Sequence, residues 1–412
     1  MRLLVYGLVI RAYALGIRFG SVFNTKAKLW VKGRNSWRGE LSGIKKNEFI
    51  WFHCASLGEY EDVKYVIQGI QRNFPEAPIL LTFFSPSGFE VLKKENVVDK
   101  LMYLPLDTRR NARDFIQLLQ PKAAFFSRSE LWYNYLMFLR QNKVPVFLTS
   151  LSLGNESKFL KWPVKRHYTD CLKAFTHIYA QEETTKQLLI DNGLSDVSIT
   201  GNTRFDAAFN ASKKELYSDV EGFVQEEFCV VVGSCLPRDE KIIEEVMVSL
   251  KGVPIKWIIA PHEFHESGLE KSLKNHGLTT ERYSDQIFSD SKDAILLIDF
   301  VGGLKHLYRF ANVAVIGGGF DAIGIHSILE PAVYGIPVAF GANHRNKKEA
   351  LDLLDINCAE IFKSADELLA FVKMHKESTS RTQEVSNEIS AFFKKNLGAS
   401  ERIVQHASAL IH

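Results

Sequence analysis

Short apolar runs, many of them β-branched or aromatic, alternate along this chain with stretches of helical period from residue 48 to beyond residue 340. Runs of this length bounded by turn signals mark strands buried on both faces. They predict strands at 49–55, 79–84, 123–127, 144–149 and 178–180 in the first half, and at 228–233, 255–260, 295–298, 313–316 and 338–340 in the second. Strands that alternate with helices build parallel sheets covered on both sides, so the pattern predicts an α/β protein with two Rossmann-like, doubly wound domains. A polar stretch from Gly201 towards Val220 marks the junction. After Ser364 the apolar spacing is helical, with Glu and Lys throughout, and a last helix is expected to fold back over the first domain. The expected organisation is an N-terminal segment 1–35, a first domain 36–205, a second domain 206–395 and a C-terminal helix 396–412.

The first thirty residues depart from this scheme. Residues 3–10 form an apolar run with one glycine and 12–17 continue it, while Arg2, Arg11, Arg18, Lys26, Lys28, Lys32 and Arg34 surround it. Arg11 interrupts the span, and a charge near the centre of a spanning helix is costly. Arg11 and Arg18, seven residues apart, share nearly one helix face, and Tyr6, Tyr13, Phe19, Phe23 and Trp30 supply interfacial aromatics. The segment is expected to lie in or shallowly within a membrane interface, with its cations towards anionic lipid on a cytoplasmic face. The competing reading is a buried first helix of the fold, because amphipathic helices usually face a core. A signal peptide fits less well, since no small-residue cleavage site follows.

Composition narrows the class. A chain of 412 residues suits two cores of about 200 residues each. Its 46% hydrophobic and 24% charged residues are those of an ordinary globular protein, and a net charge of +3 gives no global reason for nucleic acid binding. The five cysteines are odd in number and scattered, without C-x-x-C or metal spacing, as in a reducing compartment.

In doubly wound sheets ligands sit beyond the carboxyl ends of strands. Three glycines, Gly317 to Gly319, follow one predicted strand and lead through Gly324 into Ser327-Ile-Leu-Glu330. A glycine-rich turn that opens a helix lets backbone N–H groups approach an anion, and Glu330 is placed to take ribose hydroxyls; packing alone explains many such turns. The loop lacks the lysine of a P-loop and the G-x-G-x-x-G of a dinucleotide fold. Ser56-Leu-Gly-Glu59, Ser127-Arg-Ser-Glu130 and Ser327-Ile-Leu-Glu330 share the pattern S-x-x-E, each just after a strand. That pattern is a capping box, and caps are commoner than catalysts. Against the cap stands position, since each glutamate falls at the rim where a carboxylate can take a proton from a hydroxyl nucleophile. Ser85-Pro-Ser-Gly88 reads as a turn or an anion contact. His262 and His265 form an H-x-x-H without a third ligand, no D-x-D pair supports a metal–nucleotide site, and no G-x-S-x-G elbow suggests a serine hydrolase.

Phe52-His-Cys-Ala-Ser-Leu-Gly-Glu59, Thr82-Phe-Phe-Ser-Pro-Ser-Gly88, Ser129-Glu-Leu-Trp132 with Asn134, Gly201-Asn-Thr-Arg-Phe-Asp206 and His326-Ser-Ile-Leu-Glu-Pro331 together resemble the 3-deoxy-D-manno-octulosonic acid (Kdo) transferase family of lipopolysaccharide inner-core synthesis. The resemblance runs in order from the basic N-terminus to near Glu349. It implies a GT-B fold, two Rossmann-like domains facing across a cleft, with a lipid A precursor taken by the first and CMP-Kdo mainly by the second. It implies an inverting transfer that needs neither metal nor cofactor, at the cytoplasmic face of the inner membrane, with no nucleic acid partner. By resemblance Glu59 is the general base, and Glu130 and Arg204 stabilise the transition state. CMP contacts fall on Pro261 and His262, on Val301, Gly302 and Gly303, and on Ser327, Ile328, Leu329 and Glu330. Three positions depart from the usual pattern. Arg204 stands for a lysine, His262 for an arginine and Gly303 for a glutamate, so the first keeps its charge with a different geometry and the last offers only backbone. The alternatives are a GT-B envelope transferase using a UDP-sugar, a UDP-sugar epimerase of the same architecture, and a nucleotide-binding protein without turnover.

Overall fold

The computed structural model describes residues 2–411 apart from 44, 45, 47, 155–164, 264–267, 287, 289, 290, 323, 345 and 346. Contacts divide the chain into one unit of Met1–Ala207 with Leu397–His412 and another of Ala208–Asn396. Each is built on a seven-stranded sheet.

The first sheet contains β1 (Ile50–Cys54), β2 (Ile79–Phe83), β3 (Lys100–Tyr103), β4 (Ala123–Ser127), β5 (Val146–Leu151), β6 (His177–Ala180) and β7 (Val197–Ile199). Their order is β3-β2-β1-β4-β5-β6-β7, parallel throughout. The second contains β8 (Phe228–Cys235), β9 (Ile255–Pro261), β10 (Thr280–Arg282), β11 (Ile295–Leu297), β12 (Val313–Ile316), β13 (Val338–Phe340) and β14 (Ala359–Ile361). Their order is β10-β11-β9-β8-β12-β13-β14, again parallel. The α/β, GT-B-type class expected from the hydrophobic pattern and the resemblance is the class observed.

Every interior strand was legible as an apolar run, and the four edge strands β3, β7, β10 and β14 were not. The reason is burial: all residues of β1, β2 and β4 are buried, whereas β10 has no buried residue and β7 and β14 have one each. An edge strand faces solvent on one side and is not obliged to be apolar.

Side-chain alternation along the first sheet feeds two cores. Trp51, Leu80, Phe126 and Leu148 join helices on one face, while Ile50, Phe52, Leu81 and Phe125 join the helix Leu57–Asn73 on the other. The helix Ala399–Ser408 completes that second layer through Ile403, Val404 and Ala407. It lies so close that a Cβ on Gly69 would come within 2.5 Å of Val404. In each sheet the winding reverses once, between β1 and β4 and between β8 and β12, and ligands of such folds bind at that switch point.

Candidate functional site

The carboxyl ends of β1 and β4 carry two of the expected site residues. Glu59 lies in the first turn of the helix Leu57–Asn73, and its Oε2 accepts the Ala55 N–H at 2.6 Å. Ser56 makes no side-chain cap to that helix, and the glutamate reaches past the Ser56 N-cap to the Ala55 amide, so neither half of a capping box is formed. Burial pushes the Glu59 carboxyl up to about 7, the negative charge of Glu130 adds to this, and the Ala55 N–H and Arg128 oppose it. A carboxylate tuned to neutrality beside a second one is the electrostatic profile of a general base.

Glu130 follows β4 in a turn that never becomes a cap. The next helix, Tyr133–Gln141, starts three residues later, and its first turn is capped from a distance by Asp107, which accepts Asn134 N–H at 3.1 Å and Tyr135 N–H at 3.2 Å. Glu130 Oε2 instead accepts Trp132 Nε1–H at 2.9 Å and lies 3.3 Å from His53 Nε2. Arg128, two residues earlier, adopts a left-handed φ of 54°, a strained state for a non-glycine residue of the kind that collects at functional sites.

Arg204 enters the same neighbourhood through a shared acid. Its Nε donates to Asp62 Oδ1 at 3.0 Å, and Arg128 Nε donates to Asp62 Oδ2 at 2.6 Å. Asp62 is 5% exposed and sits one turn after Glu59 on the same helix face. One buried carboxylate thus holds two cations whose side chains remain 33% and 35% exposed. The rest of the Gly201-Asn-Thr-Arg-Phe-Asp206 motif is structural: Asp206 accepts the N–H groups of Gly398 at 2.7 Å and Ser400 at 2.6 Å, capping the last helix. The Ser85 motif is also a helix start, with Ser85 Oγ accepting Ser87 N–H at 3.3 Å.

In the second unit the glycine loop follows β12 at the switch point, but its glycines serve packing. A Cβ on Gly317 would lie 2.2 Å from Ser234 O, and one on Gly319 2.4 Å from Gly341 N. The Gly318 N–H goes to Asp239 Oδ2 at 2.8 Å, which also accepts Leu236 N–H. The expectation that these amides address an anion is corrected at Gly318, whose N–H an internal carboxylate has taken. The helix after the loop is a single turn, Leu329–Ala332, with Ile328 rather than Ser327 at its N-cap. Ser327 is exposed, Ile328 and Leu329 are buried, and Glu330 lies near the Tyr308 hydroxyl, whose pKa its charge helps burial to raise.

Pro261 ends β9 opposite Cys235, and His262 N–H donates to Cys235 O at 2.8 Å. The His262 ring lies 4.8 Å from that of His326, which precedes Ser327, so two of the segments expected to contact a nucleotide meet through their histidines. Val301 is 102% exposed and Gly302 has φ 98°. At Gly303 a Cβ would come within 2.4 Å of the Phe300 ring and 3.2 Å of Tyr217 Oη, so aromatic rings crowd the place of the expected glutamate. His265 lies outside the described residues. Among the described residues no group of three or more His, Cys, Asp or Glu is placed to hold a metal ion.

Sequence reasoning passed over His53, Asp62, Arg128 and Trp132. Each stands within three residues of Glu59 or Glu130, or in a quoted motif, and the i, i+3 pairing of Glu59 with Asp62 was a usable signal. Only the tertiary structure joins β1 to β4.

The model of the family described as 3-deoxy-D-manno-octulosonic-acid transferase (kdotransferase) matches residues 23–207. A 3-deoxy-D-manno-octulosonic acid transferase of Aquifex aeolicus is 27% identical over 362 residues, 84% of this chain and 92% of that protein. A bifunctional glycosyltransferase/methyltransferase of Fusobacterium nucleatum is 27% identical over 408 residues, 94% of this chain, which spans 61% of that relative's length. The crystal structure of UDP-GlcNAc 2-epimerase from Neisseria meningitidis aligns with a TM-score of 0.62 at 15% identity, covering 88% of this chain and 100% of the other. At that identity the likeness speaks for the fold.

Proposed function

The chain resembles Kdo transferases over most of its length and its residues 23–207 belong to that family; from this premise we propose that it transfers Kdo from CMP-Kdo to a lipid A precursor in lipopolysaccharide synthesis, with inversion and without a metal. The observation that carries the reading is Glu59, a carboxyl at the end of β1 pushed to about 7 beside Glu130 and Arg128. In its ionised form Glu59 takes the proton of the acceptor hydroxyl as that oxygen bonds to the anomeric carbon. The bond to CMP breaks on the opposite face, and its electron pair leaves with the phosphate. Arg204 and Arg128, held by Asp62 with their guanidinium groups part-exposed, supply positive charge, and Glu130 stabilises the positive charge that develops on the sugar. Pro261, His262, Val301 to Gly303 and Ser327 to Glu330 bind the nucleotide.

The acceptor and the inner-membrane location are supported by the first helix, Arg2–Gly20. It exposes Leu4, Leu8, Leu15 and Phe19 by 62–76%, beside a basic cavity of about 650 Å³ lined by Arg11, Arg109, Arg110 and Arg113. No helix among the described residues is long and apolar enough to cross a membrane.

The test is to incubate purified protein with CMP-Kdo, generated in situ, and a tetraacyl lipid A precursor in the presence of chelator, and to weigh the lipid by mass spectrometry. A product heavier by one or more Kdo units is expected. An unchanged lipid together with turnover of a UDP-sugar would overturn the reading in favour of an epimerase or UDP-sugar transferase.

A further inference from the structure

His53 belongs to β1, is 1% exposed, and reaches Glu130 across the sheet from the neighbouring strand. Its protonation pattern follows from counting donors. Trp51 Nε1–H, a donor only, takes one lone pair of Thr82 Oγ1 at 2.8 Å. The Thr82 proton then has two acceptors in reach, Phe52 O at 3.3 Å and His53 Nδ1 at 2.9 Å. Trp132 Nε1–H decides between them, because it donates to His53 Nε2 at 2.9 Å and requires a lone pair there: the ring's own proton sits on Nδ1 and goes to Thr82 Oγ1, and the Thr82 proton goes to Phe52 O. The same indole N–H also donates to Glu130 Oε2 at 2.9 Å, and that oxygen lies 3.3 Å from Nε2. One indole N–H is therefore held between the buried imidazole and one carboxylate oxygen, while Glu130 keeps 16% of its side chain exposed. Trp132 is itself stacked on Phe84 at 4.9 Å, which stiffens the clamp.

We propose that His53 is a positioning residue for the transfer reaction: fixed by Thr82 in the Nδ1–H form, it holds the Trp132 indole that aims the Glu130 carboxylate. The assignment rests on Glu130 acting in the proposed transfer. A buried histidine that only filled space would require neither the Thr82 hydroxyl behind it nor an indole N–H, shared with a carboxylate, in front of it. A carboxylate clamped through one oxygen has a fixed plane, and its other oxygen is presented in a single direction. That is the preorganisation a charge-stabilising group needs, because orienting it during the reaction would add to the barrier.

The experiment is a double-mutant cycle with kcat, donor KM and circular dichroism read for each protein. His53→Phe keeps a ring and removes the acceptor that holds the Trp132 indole, and a carboxylate no longer aimed predicts a fall in kcat of about tenfold or more with donor KM unchanged within about twofold. His53→Gln, whose amide reaches the place of Nε2, is expected to recover most of the loss. Added to Glu130→Gln, His53→Phe is expected to cost nothing further, since both act through one carboxylate. Should His53→Phe not fold, Trp132→Phe removes the shared donor and is expected to show the same non-additivity. Additive losses, or wild-type kcat in a folded His53→Phe protein beside an impaired Glu130→Gln, would overturn the positioning role alone. Wild-type kcat in Glu130→Gln would overturn the role given to Glu130 as well.

Discussion

Glu59 is half-buried at the head of its helix with Glu130 beside it, and burial before charge pushes its carboxyl from an ordinary 4.5 to about 7. Between those values the folded chain holds a proton that the unfolded chain has released. Stability from this group is therefore complete below about pH 4.5 and is lost as pH rises through about 7. The ionised form that costs stability is the form the proposed reaction uses. Glu59→Gln keeps the Ala55 contact and removes the titration, so its Tm relative to wild type should increase from pH 5 to pH 8. Transfer should fall by about 10²–10⁴-fold, and the wild-type rate should rise with pH along an acid limb near 7. Calorimetry over that range together with the transfer assay checks both; a constant Tm difference would show that Glu59 titrates normally.

At the scale of elements, the first helix is the one that places its apolar side chains outward. At 100° per residue Leu4, Leu8, Leu15 and Phe19 fall within an arc of about 60°, with Arg11 and Arg18 at its border. The helix is tied down on the flank beyond the arginines by Ala14, 7% exposed, and on the opposite side by Tyr6 Oη, which donates to the buried Asp107 at 2.5 Å. Exposed apolar groups rimmed by arginine match an anionic lipid interface better than water. Replacing Leu4, Leu8, Leu15 and Phe19 with serine should leave Tm unchanged within about 2 °C and abolish sedimentation with phosphatidylglycerol vesicles. Undiminished sedimentation would return the helix to a purely structural role.

At the scale of the whole molecule, the last sixteen residues, Leu397–His412, belong to the same unit as the first 207. Their helix covers the outer face of the one that carries Glu59 and Asp62, through Ile403, Val404 and Ala407, each at most 3% exposed. Burying two large aliphatic side chains and an alanine is worth about 5 kcal/mol. A chain ending at residue 396 should lose ~10 °C or more in Tm and should lose transfer with it, as circular dichroism melting and the lipid assay would read. A truncated protein with full stability would mean that the outer face of the Glu59 helix needs no cover.

The limits of one-dimensional reading are visible at particular positions. Interior strands such as β1 and β12 are buried on both faces, so their residues had to be apolar and the α/β class could be read directly. β10 and β14 carry no such obligation and escaped notice. Glu59 and Glu130 were marked by their place after strands, but S-x-x-E spells a cap and a carboxylate site alike. The choice came from whether the serine hydroxyl of residue 56 reaches the helix, which it does not. The sequence by itself determined the layers and the rim where the candidate residues stand, because burial dictates residue type along each strand. Only the tertiary structure decided that Asp62 would join Arg128 to Arg204, that His53 would meet Glu130, and that Asp239 would claim the Gly318 N–H. Partners brought together by strand pairing share no period or spacing along the chain, and their distances are set by the sheet.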